Sequence, residues 1–155
     1  MTIHIGFTGT RKGCTTPQLT TIRRLFEDSL GDDDVLVHQG CCVGADAEFC
    51  DIADGYERVG IVGHPPLQQG LMSDRALAYC SEINQPQSFS ARNAAIVAAS
   101  QIMVAAPLES TPQKRGGTWM TIGMARRALR AGKLQAMYVV GRDGELLEHT
   151  RWPAP

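Results

Sequence analysis

The stretch Ile3-His4-Ile5-Gly6-Phe7-Thr8-Gly9-Thr10-Arg11-Lys12-Gly13 decides the fold class. Ile3 to Thr8 reads as a short buried strand, and it runs directly into a turn bounded by Gly9 and Gly13. Thr16-Pro17 then opens a helix, with Thr16 as cap and Pro17 at the first helical position. Leu19, Ile22, Leu25 and Phe26 recur at helical spacing, and Gly31 ends the element. The same unit repeats outward along the chain. Val35 to His38 is a strand, and Gly44-Ala45-Asp46 starts a helix through Ala53. Val59 to Val62 is a strand stopped by Pro65-Pro66. Residues 64 to 89 show weak periodicity and predict loop with one short helix around Asp74 to Cys80. Ser90 is placed to cap a helix from Ala91 to Ala99. Ile102 to Ala106 is the next strand. Gly116-Gly117-Thr118 opens the longest helix, which runs to Gly132, and Met137 to Val140 follows as a strand. Asp143-Gly144 is a tight-turn signal that folds Glu145 to His149 back as an edge strand.

Apolar strands alternating with helices predict an α/β fold. The expected form is a Rossmann-like, doubly wound, mainly parallel sheet of about five strands with helices on both faces. Residues 1–150 read as a single domain, and 151–155 as a loose tail. In such sheets ligands sit beyond the carboxyl ends of the strands, where the strand order reverses.

Composition narrows the function classes. The chain has 155 residues, 43% apolar, with 15 Lys and Arg against 16 Asp and Glu. The resulting net charge of −1 argues against a duplex-DNA coat or an anionic-membrane binder, while leaving room for a local basic groove. No run of apolar residues is long enough to span a membrane. The start, Met1-Thr2-Ile3-His4, does not read as a signal peptide. The five cysteines, an odd number without framework spacing, fit reduced thiols in a cytosol.

Four segments carry candidate chemistry, and each falls after a strand or at a helix start. Thr8, Gly9, Thr10 and Arg11, with Lys12 and Gly13 behind them, combine a tight turn, two hydroxyls and two cations, a set suited to phosphate. An ordinary turn with solvated cations is the plain alternative. Gly40, Gly44 and Asp46 bracket a second turn. There Asp46 is either a helix cap or an acceptor for a ribose hydroxyl. Arg92 and Asn93 lie in the first turn of a helix, where a cation works against the helix dipole, and that conflict hints at function. Gly116, Gly117, Thr118 and Thr121, preceded by Lys114-Arg115, form the strongest anion signal in the chain. Trp119 is read as core or interface, with base stacking as its other role. A zinc site from His38, Cys41, Cys42 and Cys50 matches no familiar spacing, so no metal and no cofactor is expected. Cys14 has no histidine placed to activate it. His4 and His38 read as structural.

Taken in order, the four segments resemble the SLOG superfamily, which joins the Smf/DprA DNA-processing proteins to the Lonely-guy (LOG) phosphoribohydrolases. Gly6 to Arg11 resembles the first-strand VGTR motif of the DprA type. Gly40 to Asp46 is similar to its SGLARGID segment. Arg92-Asn93 followed by Ala94 to Ser100 resembles RNRIIAGLS, and Gly117 to Thr121 resembles SGSLITA. The match covers about residues 3 to 140, and is nearest in type to the small stand-alone YspA-like members of bacteria and phages. The resemblance implies a nucleotide or nucleotide-derived ligand. LOG enzymes cleave the N-glycosidic bond of a nucleoside 5′-monophosphate using an Arg, which Arg92 matches, and a Glu of PGGxGTxxE. Here Thr118 to Ala125 contains no acidic residue. Asp46 and Glu48 are the neighbouring carboxylates that could substitute.

Three functions follow as expectations. The first is a sensor or sequestering module for a nucleotide-derived signal of the ADP-ribose or cyclic-nucleotide type, held in a phosphate-binding crevice. The second is a LOG-like phosphoribohydrolase with Arg92 and Asp46 as catalytic candidates. The third is DprA-like binding of single-stranded DNA, for which aromatics at 6% are poor stacking material. The helix from 118 to 132 is apolar around much of its girth, which predicts a homodimer.

Overall fold

A computed structural model describes residues 1–150; the expected loose tail, 151–155, lies outside the described residues. At its centre is β1 (Thr2–Gly9), paired with β2 (Asp34–Gln39) on one side and β5 (Ile102–Ala106) on the other. The sheet continues through β3 (Val59–Gly63) to β4 (Glu82–Ile83), and through β6 (Ala136–Val140) to β7 (Leu146–His149). Its order is β4-β3-β2-β1-β5-β6-β7. Every pairing is parallel except that of β6 with β7, which is antiparallel. The helices are α1 (Thr16–Leu30), α2 (Ala45–Ala53), α3 (Asp74–Tyr79), α4 (Phe89–Ala99) and α5 (Gly117–Arg130).

Successive side chains of a strand point to opposite faces, and each face here has its own core. Ile3, Ile5 and Phe7 of β1 join Val104 and Tyr138 against α1 and α2. Phe7 stacks on Phe49 with ring centroids 4.3 Å apart, and Phe26 meets Phe49 edge-on at 6.0 Å. Met103, Ala105, Met137 and Val139 face the other way, onto Ile96 of α4 and Trp119, Ile122 and Ala125 of α5. The doubly wound α/β class is therefore what these residues build. Among the described residues no helix is long and apolar enough to cross a membrane.

The sheet has seven strands, two more than the five of the main sequence count. The folded-back edge at Leu146–His149 forms as expected beyond Gly144, whose φ is +85°. It is tied to α5 by Arg126, whose Nε and Nη2 donate to Glu148 at 2.8 and 2.6 Å. β4 has only two residues, both exposed, and a strand that short leaves no periodic signal. Two helix caps also differ. Thr15, not Thr16, caps α1: its Oγ1 accepts from the Gln18 amide at 3.2 Å, while Gln18 Oε1 accepts from the Thr15 amide at 2.9 Å. This reciprocal pairing outweighs the Thr-Pro signal and moves Pro17 one position into the helix. Gln18, fully buried, also donates to the carbonyls of Pro107 (2.8 Å) and Val140 (3.1 Å), pinning α1 to the ends of β5 and β6. Ser88, not Ser90, caps α4, accepting from the Ala91 amide, so the helix starts two residues early at Phe89.

The α1 cap separates two neighbouring threonines. Thr15→Ala is expected to cost about 1–2 kcal/mol of stability, and Thr16→Ala less than about 0.5 kcal/mol, by urea denaturation. Equal costs would contradict the assigned cap.

Candidate functional site

The chain leaves β1 toward β2 and returns on the other side as β5, so the segments following β1 and β5 part from each other above the sheet. Between them lies a cleft of about 750 Å³. Its floor and walls come from the turn after β1, the turn after β2, the first turns of α4, and the loop leading into α5.

The turn after β1 is fixed against the start of α2. The Ala45 amide donates to Thr10 O at 3.0 Å, and a Cβ on Gly44 would lie 2.2 Å from Arg11 O. With φ at +86°, position 44 requires glycine on both counts. The Lys12 amide donates to Thr10 Oγ1 at 3.1 Å, which leaves the exposed Arg11 and Lys12 side chains at the rim.

Arg92 reaches across from α4 and is buried, with 6% of the residue exposed. Nη1 donates to Gly40 O (2.5 Å) and to His64 O (3.3 Å), Nε donates to Asn93 Oδ1 (2.8 Å), and the Cys42 sulfur lies 3.9 Å from Nη2. A Cβ on Gly40 would fall 2.1 Å from Nη1 and 2.9 Å from Asp46 Oδ2, so the absence of a side chain at 40 is what admits both charges. The Phe89 ring lies under Arg11 and Arg92, with guanidinium carbons 5.0 and 5.5 Å from its centroid.

Asp46 does not cap its own helix. Its Oδ2 accepts from the Cys42 amide at 3.1 Å, holding the preceding turn. Burial pushes its carboxyl up to about 6, against the pull of Arg92, the Cys42 and Gly40 amides, and Arg11. α5 begins at Gly116, φ +126°, with no side-chain cap and no acidic residue in its first turn. The positive end of its dipole and its first amides therefore point at the cleft uncompensated.

Thr8, Gly9, Thr10, Arg11, Gly40, Asp46, Arg92, Asn93, Gly116, Gly117 and Thr118 all line this one cleft. Two residues singled out in the sequence do not. Gly44 lies behind the wall as a packing contact. Thr121 is fully buried, its Oγ1 donating to Gly117 O at 2.7 Å, because a threonine four residues into a helix bonds back to the preceding turn. Glu48 is turned away as well, accepting from the Cys14 amide at 2.8 Å. The sequence reading missed Phe89, since a helix begun at Ala91 leaves it in the loop. Burial, with Glu48 and Asp46 nearby, pushes the Cys14 thiol up to about 12, far from a nucleophile's range. Among the described residues no three His, Cys, Asp or Glu side chains are grouped to hold a metal. His38 instead belongs to a row: His4 Nδ1 to His38 Nε2 at 2.9 Å, His38 Nδ1 to His64 Nε2 at 2.9 Å, and His64 Nδ1 to Asn84 Nδ2 at 3.2 Å.

No protein-family model and no curated protein sequence matches the chain. Among solved structures, the X-ray structure of TM1055, a structural genomics target, is similar over 79% of this chain and 68% of its own, with a TM-score of 0.52 and 16% identity. At that identity the likeness establishes the Rossmann-like fold.

Asp46 and His38 impose opposite pH dependences. Asp46 rises from 3.8 unfolded to about 6 folded, so its ionisation costs the folded state stability as pH climbs from about 4 to about 6. His38 falls from 6.5 to about 4, chiefly through burial, so its stabilising effect is lost as pH drops through that same range. The two offset in the parent protein. Asp46→Asn removes only the first. Its stability relative to the parent is expected to climb from pH 4 to pH 6, by on the order of 2–3 kcal/mol in urea unfolding, and to level off above. A difference independent of pH would contradict the buried-carboxyl assignment.

Proposed function

We infer that the cleft binds a phosphorylated, nucleotide-derived ligand of the ADP-ribose or cyclic-nucleotide type, and that the chain is a small SLOG-type module that senses or sequesters it. One observation carries this reading. Arg11, Arg92 and the uncapped α5 start at Gly117-Thr118 come from three distant segments and line the same cleft at the point where strand order reverses. Lys12, Lys114 and Arg115 add charge at its rim, opposed there by Glu109 and the buried Asp46. A cleft of about 750 Å³ accommodates a nucleotide with more than one phosphate. In this reading the turn after β1 and the α5 start hold phosphate, while Gly40 and Asp46 border the sugar. Arg92 fixes the wall and adds its positive charge to the cleft.

A second reading draws on Asp46 alone. A cleft-lining carboxyl raised to about 6 and set near Arg92 is suited to proton transfer near neutral pH, and so to an N-glycosidase of the phosphoribohydrolase kind. Self-association as a homodimer and a cytoplasmic setting belong to the same proposal. The dimer follows from the apolar girth of α5 read in the sequence, and the cytoplasmic setting from the odd number of cysteines without framework spacing.

Calorimetry with AMP, ADP, ADP-ribose and a cyclic dinucleotide tests the proposal. The expected result is binding of at least one, with the ligand recovered intact. Arg11→Ala, exposed and outside the core, is expected to weaken that binding roughly 10- to 100-fold with the melting temperature unchanged. Arg92→Ala is expected to lose stability as well, because two backbone carbonyls lose their donor. Release of free base, abolished in Asp46→Asn, would transfer the assignment to the second reading. Retention of an oligonucleotide with steep salt dependence, and of none of the panel, would replace both with single-stranded nucleic acid.

A further inference from the structure

Behind the cleft wall two sulfurs meet. Cys41 follows Gly40 in the left-handed region, with φ +58°, a conformation that a side-chain-bearing residue holds only when its surroundings enforce it. Those surroundings are specific. The Cys41 amide donates to Gln39 Oε1 at 2.7 Å, and its carbonyl accepts from the Ser73 amide at 2.9 Å. The Cys41 side chain is thereby turned under β3, fully buried. Cys80 stands at the C-terminal end of α3 and is partly buried against the core. A Cβ on Gly63 would lie 2.6 Å from Cys41 Sγ and 2.9 Å from Cys80 Sγ, so both sulfurs crowd one point. Gln39, fully buried, completes the cluster. With its oxygen taken by the Cys41 amide, its Nε2 is left to face Cys41 Sγ at 3.5 Å and Cys80 Sγ at 3.4 Å.

The two thiols are not equivalent. The neighbouring Cys41 thiol and the Gln39 N–H draw the Cys80 thiol below its ordinary value, against burial and Cys50; when protonated it donates to Ala76 O at 3.2 Å. Cys41, set beside Cys80 and buried, is pushed up. Cys14 and Cys50 are also raised, chiefly by burial, and so is Cys42 despite Arg92 beside it. The pair thus joins a partly buried sulfur with a lowered pKa to a fully buried, protonated one beside it.

We propose that Cys41 and Cys80 are a reversible dithiol–disulfide pair whose oxidant is a small-molecule disulfide of the glutathione type. Cys80 thiolate attacks one sulfur of that disulfide; the S–S bond breaks, and one half leaves as a thiolate. The Cys41 proton passes to the departing thiolate, and the Cys41 sulfur attacks the Cys80 sulfur of the mixed disulfide, expelling the second half as a thiolate that takes up the proton Cys80 had released to solvent. Two protein thiols lose two electrons and two protons, and one small disulfide becomes two thiols. The cross-link fixes the turn between Gly40 and Cys42, two residues that line the cleft.

The experiment needs no nucleotide, so it stands apart from the proposed function. Reduced, folded protein is incubated with oxidised glutathione at neutral pH and digested without reductant for mass spectrometry. The expected product is a Cys41–Cys80 linked peptide, lighter by two hydrogens and restored by dithiothreitol. Cys80 is expected to react at least about tenfold faster than Cys14. Cys41→Ser, confirmed folded by circular dichroism, is expected to stop at a glutathione adduct on Cys80, and Cys80→Ser to leave Cys41 unmodified. An unmodified wild-type pair, a main product linking other cysteines, or a persistent wild-type adduct on Cys80 would each overturn the proposal.

Discussion

One buried guanidinium holds the top of the sheet together. Arg92 projects from α4 to the carbonyls of Gly40 and His64, which follow β2 and β3, and so joins a helix on one face to the ends of two strands. Burying a cation is costly unless it is hydrogen-bonded and faced by opposite charge. Both conditions are met here, by the two carbonyls, the Asn93 side chain and the field of Asp46. Each charge-assisted bond contributes about 1.5–3 kcal/mol and, as important, removing the donor strands buried carbonyls. The glycine at 40 is the steric counterpart: any side chain there would occupy the guanidinium's place.

That arrangement sets the electrostatics of the cleft. The chain as a whole is at −1, yet Arg11, Lys12, Arg92, Lys114 and Arg115 gather around one hollow with Glu109 and a reluctantly ionised Asp46 against them. Low-dielectric walls focus such a field, and an anion entering the cleft feels it more than one at the open surface. The uncapped α5 start adds backbone dipoles to the side-chain charges, at no cost in side-chain ordering.

The fold was largely readable because its strands are short apolar runs punctuated by glycine and proline, and the helices between them carry their apolar residues at helical spacing. The cleft residues were readable for a related reason: glycines with hydroxyls or cations just after a strand have few structural uses. What escaped was set by tertiary contacts. Gln18 and Gln39 look like surface residues in the chain, yet both are fully buried because they pair backbone groups at strand ends. The Thr15–Gln18 reciprocity competes with an equally plausible Thr16-Pro17 start, and only geometry decides. Thr121 carries the right hydroxyl in the right helix, but one turn too deep. Phe89 was hidden by a two-residue error in where its helix begins.

The row His4–His38–His64–Asn84 crosses the sheet obliquely, stepping two residues along the strands from His4 to His38 and again from His38 to His64. Each imidazole there offers one nitrogen to its neighbour on either side, so a neutral row can be ordered in only two ways, with every N–H aimed toward β1 or every N–H aimed toward the β4 edge. The Asn84 amide, donating through Nδ2, selects the first. The three rings therefore share one tautomer, Nε2–H, and none can exchange it alone. Polar order across the sheet is set from Asn84, one residue past the two-residue edge strand, so an inconspicuous corner of the fold dictates a property of its centre.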